Sequence, residues 1–156
     1  MTWQPYVATA GLLVVVGGVG ALATDIGPWY RDLKKPSWQP PDWAFGAVWT
    51  TIYVFIIASV GLVWNAAPDS AHATLALVIG VNFVLNVLWS LLFFKFRRPS
   101  WSLVEVVPLW LSIVAMMVLF HPHHALAAWL LLPYLTWVTI AAYLNLTIVR
   151  LNPGLT

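Results

Sequence analysis

The chain has 156 residues, 62% of them hydrophobic and 8% charged, where an ordinary soluble domain is about a quarter charged. That composition excludes a soluble globular protein and leaves an integral membrane protein, a single domain over 1–156 with nearly every residue used in one bundle. Cysteine is absent, which excludes disulfides, thiolate nucleophiles and thiolate-held metals, and the seven Lys plus Arg against five acids matter by position more than by total.

Residues 6–24 make the first apolar run, closed by Asp25, Gly27 and Pro28. Ala21, Leu22 and Ala23 resemble a signal-peptidase site, but no Lys or Arg precedes the run, so it is expected to stay as the first span. Gly11, Gly17, Gly18, Gly20 and Ala21 leave this helix slim enough for a close neighbour.

The next stretch does not read as plain spanning helix. Trp29, Tyr30, Trp38, Trp43 and Trp49 are interleaved with Pro36, Pro40, Pro41 and the cations Arg31, Lys34 and Lys35. Indole and phenol rings settle at headgroup depth, and Lys and Arg lay their stems on apolar surface while the charge stays wet. The prolines remove donors and push their predecessors to extended conformations, so 25–42 is expected to be a shaped, basic, aromatic lid.

Apolar runs follow at 43–64, 71–94, 101–120 and 125–149. A turn around Pro68 separates the second from the third, a knot of Lys95, Arg97, Arg98 and Pro99 the third from the fourth, and His121, Pro122, His123 and His124 the fourth from the fifth. Each run approaches or exceeds the ~20 residues a helix needs to cross a bilayer. The expected fold is therefore an all-α bundle of five transmembrane helices. No internal repeat supports a two-halves transporter. All seven basic residues fall in the first loop, the third loop or the C-terminal end, so the 25–42 loop and the C-terminus are expected in the cytoplasm, with the inner membrane as the location. The histidines then lie on the other side.

Asn82 and Asn86 stand one turn apart on the third span, with Trp89, Ser90 and Phe93 continuing their face. Trp129, Pro133, Trp137, Ala141 and Asn145, each four apart, wind down the fifth. Amides in hydrocarbon need partners, so both stripes should face inward, either bonding between helices or touching a ligand. Trp49 and Tyr53 lie at i, i+4 beneath the aromatic loop, where a pocket would open. Glu105, a turn into the fourth span, is expected to pair with Arg97 or Arg98 at the interface. The histidine turn lacks an accompanying Cys or carboxylate, so no metal site is expected there. Ala76 and Gly80 form a small-xxx-small pair through which two copies could approach. No nucleic-acid partner is expected; the bilayer is the surrounding partner.

With these residues in hand the sequence resembles the TspO/MBR family of tryptophan-rich sensory and translocator proteins, also called peripheral-type benzodiazepine receptors. The carrying motifs are WY-x-x-L-x-KP-x-W-x-PP at 29–41, the following Trp49, N-x-x-W at 86–89, PY-x-x-W at 133–137, and Leu144-Asn145. The resemblance implies five spans, a homodimer, and a pocket under the first loop for porphyrins such as protoporphyrin IX and for isoquinoline carboxamide or benzodiazepine ligands. It also implies a role in tetrapyrrole and stress regulation, with no cofactor required and porphyrin as ligand. By motif the pocket residues would be Trp49, Tyr53, Asn86, Trp89, Ser90, Trp137 and Ala141, with Trp38 and Pro41 in the lid and Arg31, Lys34 and Lys35 at its mouth. Some relatives are associated with light-dependent porphyrin breakdown attributed to the tryptophans matching Trp49 and Trp137, so a photochemical enzyme and a porphyrin transporter stand as alternatives to a binding protein. The animal members' cholesterol motif needs a Tyr where this chain has Leu146, so sterol recognition is not carried over.

Overall fold

The computed structural model describes residues 1–154 of the chain. Among them the elements are α1 (Gln4–Ala23), α2 (Pro28–Asp32), α3 (Asp42–Ala66), α4 (Asp69–Ser90), α5 (Pro99–Phe120), α6 (Ala125–Trp129) and α7 (Leu132–Leu151). Five stretches are long and apolar enough to span: α1, α3, α4 with its extension to Lys95, α5, and α6 with α7. The molecule is an integral, multi-pass membrane protein, as its composition requires.

The helix ends follow from a few residues each. Prolines sit in the first turns of α1, α2, α5 and α7, where the missing N–H has no intrahelical partner to lose. Pro41 and Pro68 stand just before α3 and α4, and Asp42 and Asp69 put a negative charge in their first turns, which suits the positive end of the helix dipole. α4 does not stop at the basic knot. It loosens into one π-helical turn, Leu91–Lys95, with Phe96 N–H donating five residues back to Leu91 O at 2.8 Å. The chain then reverses at Arg97, whose φ of 53° lies in the left-handed region. Arg98 N–H closes the reversal on Leu92 O at 2.9 Å.

Two boundaries differ from the sequence expectation. The 25–42 lid contains α2, nucleated by Gly27-Pro28 after Asp25 Oδ1 accepts from Gly27 N–H at 2.9 Å. The fifth span is not one helix: Leu130 and Leu131 interrupt it, because Pro133 cannot donate to the carbonyl of Trp129 and its ring crowds the preceding turn. Ser59 Oγ donates to the carbonyl of Ala127 at 2.6 Å, and this bond ties α3 to α6 next to the break.

α1 packs on α3 and α4, α4 on α5, α5 on α7, and α3 on α6. The main core runs through the bundle from Val63, Phe120 and Leu131 to Ile52, Leu109 and Trp137. A second cluster of Tyr30, Leu33, Phe93, Leu144 and Ile148 seats α2 on the ends of α4 and α7. Phe45 and Trp89 border both clusters, so the lid and the bundle interior meet at these two rings.

Candidate functional site

Along α3, Phe45, Trp49 and Tyr53 form a row four residues apart. Trp49 packs on Tyr53 (centroids 5.8 Å) and edge-on against Tyr134 of α7 (6.0 Å), and Phe45 meets Trp137 edge-on at 5.4 Å. Rings from α3 and α7 thus fill the space between those helices, and Trp137 is only 8% exposed. Tyr53 reaches the opposite way as well: a Cβ on Gly17 of α1 would lie 2.9 Å from its ring.

Beneath the rings runs a chain of hydrogen bonds. Asn86 Nδ2 donates to Tyr134 Oη at 3.0 Å, Tyr134 donates to Asn82 Oδ1 at 3.3 Å, and Asn82 Nδ2 donates to Ser112 Oγ at 2.8 Å. Ser112 Oγ in turn donates to Leu109 O at 2.7 Å. Three helices are joined by one directional relay, and both asparagines are buried. Asn145, 1% exposed, belongs to a separate junction: its amide accepts from Leu103 N–H at 3.1 Å and donates to Pro99 O at 3.0 Å. It is an interhelical bond that caps the first turn of α5.

The lid is held from three directions. Trp29 and Tyr30 lie on Phe93 and Phe94 (6.3 and 5.6 Å), Lys35 Nζ sits 4.0 Å over the Tyr30 ring, and Gln39 Nε2 donates to Tyr30 Oη at 3.2 Å. Burial, followed by the negative charge of Asp42, raises the Tyr30 phenol above its ordinary pKa, so it stays neutral under the lysine. At the α1 side Arg97 pairs with Asp25 at 3.2 Å; the Gly27 N–H first and this guanidinium second hold the Asp25 carboxyl below its usual range. At the other side Asn152 grips Lys34 by both backbone groups, accepting from its N–H and donating to its O, each at 2.9 Å.

Trp49, Tyr53 and Asn86 are linked through contacts to one another or to Tyr134, Trp137 packs on Phe45, and Trp89 stacks on Phe93 at 5.3 Å. Ala141 is half-buried, and Ser90 turns toward α1, 3.8 Å from where a Gly20 Cβ would stand. Trp38 is not over the layer. It stacks on the exposed Tyr143 of α7 at 5.3 Å, while Pro41 is exposed at the start of α3. Of the three expected mouth cations, Arg31 and Lys34 are exposed and Lys35 is committed to Tyr30.

Glu105 departs from the expectation. Arg97 is taken by Asp25, and neither carboxyl oxygen of Glu105 accepts a hydrogen bond; at 7% exposure the side chain faces inward instead of reaching the interface. Two of the histidines make local contacts: His72 stacks on Trp64 at 4.5 Å, and His124 Nδ1 accepts from Ala127 N–H at 3.3 Å to cap α6. Among the described residues no three metal-ligating side chains cluster. Ala76 and Gly80 line an 850 Å³ groove between α1 and α4 on the outer face. Its walls are mostly apolar, with Trp64 and Phe83 among the aliphatic side chains and Thr2, Gln4 and Thr9 as its polar residues.

Phe45 and Tyr134 are missing from the sequence expectation although both left a signal. Phe45 is one step earlier in the row that gives Trp49 and Tyr53, and Tyr134 stands inside PY-x-x-W. The spacing-of-four stripe on the fifth span passes over Tyr134, whose role depends on α4 and α5 lying beside it.

A model of the TspO/MBR family matches residues 8–151. Protein CrtK of Rhodobacter capsulatus is 40% identical over 139 residues, 88% of this chain and 86% of that protein. Tryptophan-rich protein TspO of Chlorobaculum tepidum is 38% identical over 92% of each chain. Human translocator protein is 36% identical, over 81% of this chain and 76% of its own length.

Proposed function

The chain belongs to the TspO/MBR family, and from that premise we propose that it is a membrane-embedded binding and sensory protein for porphyrins of the protoporphyrin IX kind. The same site would take flat aromatic ligands of the benzodiazepine and isoquinoline carboxamide type, and its occupancy would serve tetrapyrrole and stress regulation. The observation that carries this reading is the pair of edge contacts between α3 and α7, Phe45 on Trp137 and Trp49 on Tyr134, with Tyr134 bonded to Asn86, close to a lid rich in cations. A porphyrin offers a broad π-face to the rings and two carboxylates to Arg31 and Lys34 at the water boundary. Admitting it requires the α3 and α7 rings to part, and the lid, held by side-chain contacts around α2, is the element that can move.

Titrating the detergent-solubilised protein with protoporphyrin IX should quench tryptophan fluorescence saturably. Trp49→Phe with Trp137→Phe should weaken binding about ten-fold, from ~0.5–1.5 kcal/mol per indole face. Unchanged affinity would mean that neither indole contributes a binding wall. A second reading is favoured by the same indoles as electron donors: light-dependent breakdown of the bound porphyrin. If the double variant binds normally yet its porphyrin spectrum survives illumination that bleaches the parent complex, the protein is a photochemical enzyme. Porphyrin flux into sealed vesicles would instead indicate a transporter.

The seven basic residues also support an inner-membrane orientation with the lid and C-terminus in the cytoplasm. A reporter after Thr156 should be cytoplasmic and one at Met1 outside; the reverse pattern overturns this orientation. A homodimer through Ala76, Gly80 and the groove beside them completes the proposal.

A further inference from the structure

Two buried polar groups remain once the bonds of the α4–α5 interface are assigned. Asn82 Nδ2 donates to Ser112 Oγ at 2.8 Å, which fixes the level at which these antiparallel helices meet. Seven residues on along α4 stands Trp89, and seven residues back along α5 stands Glu105. A seven-residue step returns to the same helix face within about 20°, so Trp89 follows Asn82 and Glu105 follows Ser112. Pro108 lies inside the step on α5, so the step places both residues toward the α4–α5 interface without fixing them directly opposite one another. Both Glu105 oxygens are buried without a partner, and so is Trp89 Nε1. One position supplies acceptors and the other a donor.

Such groups are rare inside proteins and costly in hydrocarbon. The indole is held in place by its stack on Phe93 and its edge contact with Phe94 at 6.2 Å, so its N–H keeps a set direction before any ligand arrives. The bonds of the relay run among Asn86, Tyr134, Asn82 and Ser112, and none of them reaches Glu105 or Trp89 Nε1.

We propose that Glu105 and Trp89 Nε1 form the polar recognition point of the aromatic pocket, taking an uncharged group that carries an acceptor beside a donor, such as a primary carboxamide or an un-ionised carboxylic acid. The ligand carbonyl accepts from Trp89 Nε1, and its N–H or O–H donates to Glu105. This inference rests on the reading that a flat aromatic guest lies beneath the 25–42 lid.

The test uses the full chain in detergent and three probes: pyrene-1-carboxamide, its N,N-dimethyl analogue, which keeps the acceptor and lacks the donor, and pyrene. Binding is read by tryptophan-to-pyrene energy transfer. The primary amide should bind about ten-fold tighter than the dimethyl amide, the size of one buried hydrogen bond together with the cost of stranding its partner. Glu105→Leu should bring that ratio to about one, while Glu105→Gln, which keeps a carbonyl acceptor and the side chain's shape, should preserve most of it. Trp89→Phe should weaken both amides relative to pyrene. A ratio near one in the parent protein, meaning that the two groups close on each other or on water only, overturns the proposal. So does a ratio that survives Glu105→Leu, or a failure of the primary amide to bind. Protoporphyrin is not among the probes, so loss of porphyrin binding with the amide ratio intact would remove the earlier reading alone.

Discussion

Replacing Gly61 with valine should destabilise the bundle by about 3 kcal/mol, at the upper end of what overpacking a filled interior costs. Gly61 is buried on α3, and the body of the Tyr6 ring from α1 lies where a Cβ would go, against Cδ1, Cε1 and Cζ. α1 cannot simply back away. Asn65 accepts from Thr2 N–H at 2.6 Å and donates to Thr2 O at 3.0 Å and to Gly61 O at 2.8 Å, which pins the start of α1 to the end of α3. Thermal unfolding in detergent should therefore show a lowered midpoint for Gly61→Val, largely restored when Tyr6→Ala is added. Gly18→Ala is the control: nothing stands within 4 Å of its Cβ position, and alanine is favoured by up to about 1 kcal/mol in a helix. If Gly61→Val melts like the parent, α1 and α3 are not in this register.

That glycine shows where the sequence stops being legible. Counting small residues picks out α1 as the slim helix, yet of its glycines only Gly17 and Gly20 meet a neighbour, while Gly11 and Gly18 face open space. Gly61, the tightest approach in the bundle, sits alone in an apolar run and carries no pattern. The five spans were readable because lipid forces every backbone group into a helix, so an apolar run of sufficient length has one outcome. Pro133 was readable as a residue and not as a break, since prolines in spans can be absorbed by neighbouring helices; here the chain opens at Leu130 and Leu131 instead. The π-helical turn after Ser90 had no sequence mark at all.

The candidate site divides in the same way. Spacing within a helix shows that Trp49 and Tyr53 share one face of α3 and that Asn82 and Asn86 share one face of α4. Glu105 was misjudged because a carboxylate one turn from a basic knot ordinarily finds a cation, and the helical phase that turns it toward α4 is fixed by Ser112, two turns away. Trp38 is placed in the lid by its motif, and its stack on Tyr143 of α7 is a contact between two elements that spacing along the chain does not show. Single-helix geometry can be read from spacing, whereas the facing of two helices needs their register.

Tyr134→Phe should cost about 2 kcal/mol, although it removes one oxygen and no buried apolar surface. A single interhelical hydrogen bond in a membrane averages only about 0.6 kcal/mol, and the larger figure comes from what is left behind. The tyrosine hydroxyl accepts from Asn86 and donates to Asn82, so its loss strands an amide donor and an amide acceptor in a water-poor interior, where an unmet buried group costs about 1–3 kcal/mol. The ring itself stays, and its edge contact with Trp49 should persist. The cause can be separated from generic damage by a double-mutant cycle with Asn86→Leu. If stranding is the source, Asn86→Leu should cost clearly less in the Tyr134→Phe background than in the parent, because the donor it deletes is already unpaired. Additive losses would mean that the Asn86–Tyr134 bond carries no coupling, and the relay would then be a set of independent contacts instead of the element that joins α4, α5 and α7.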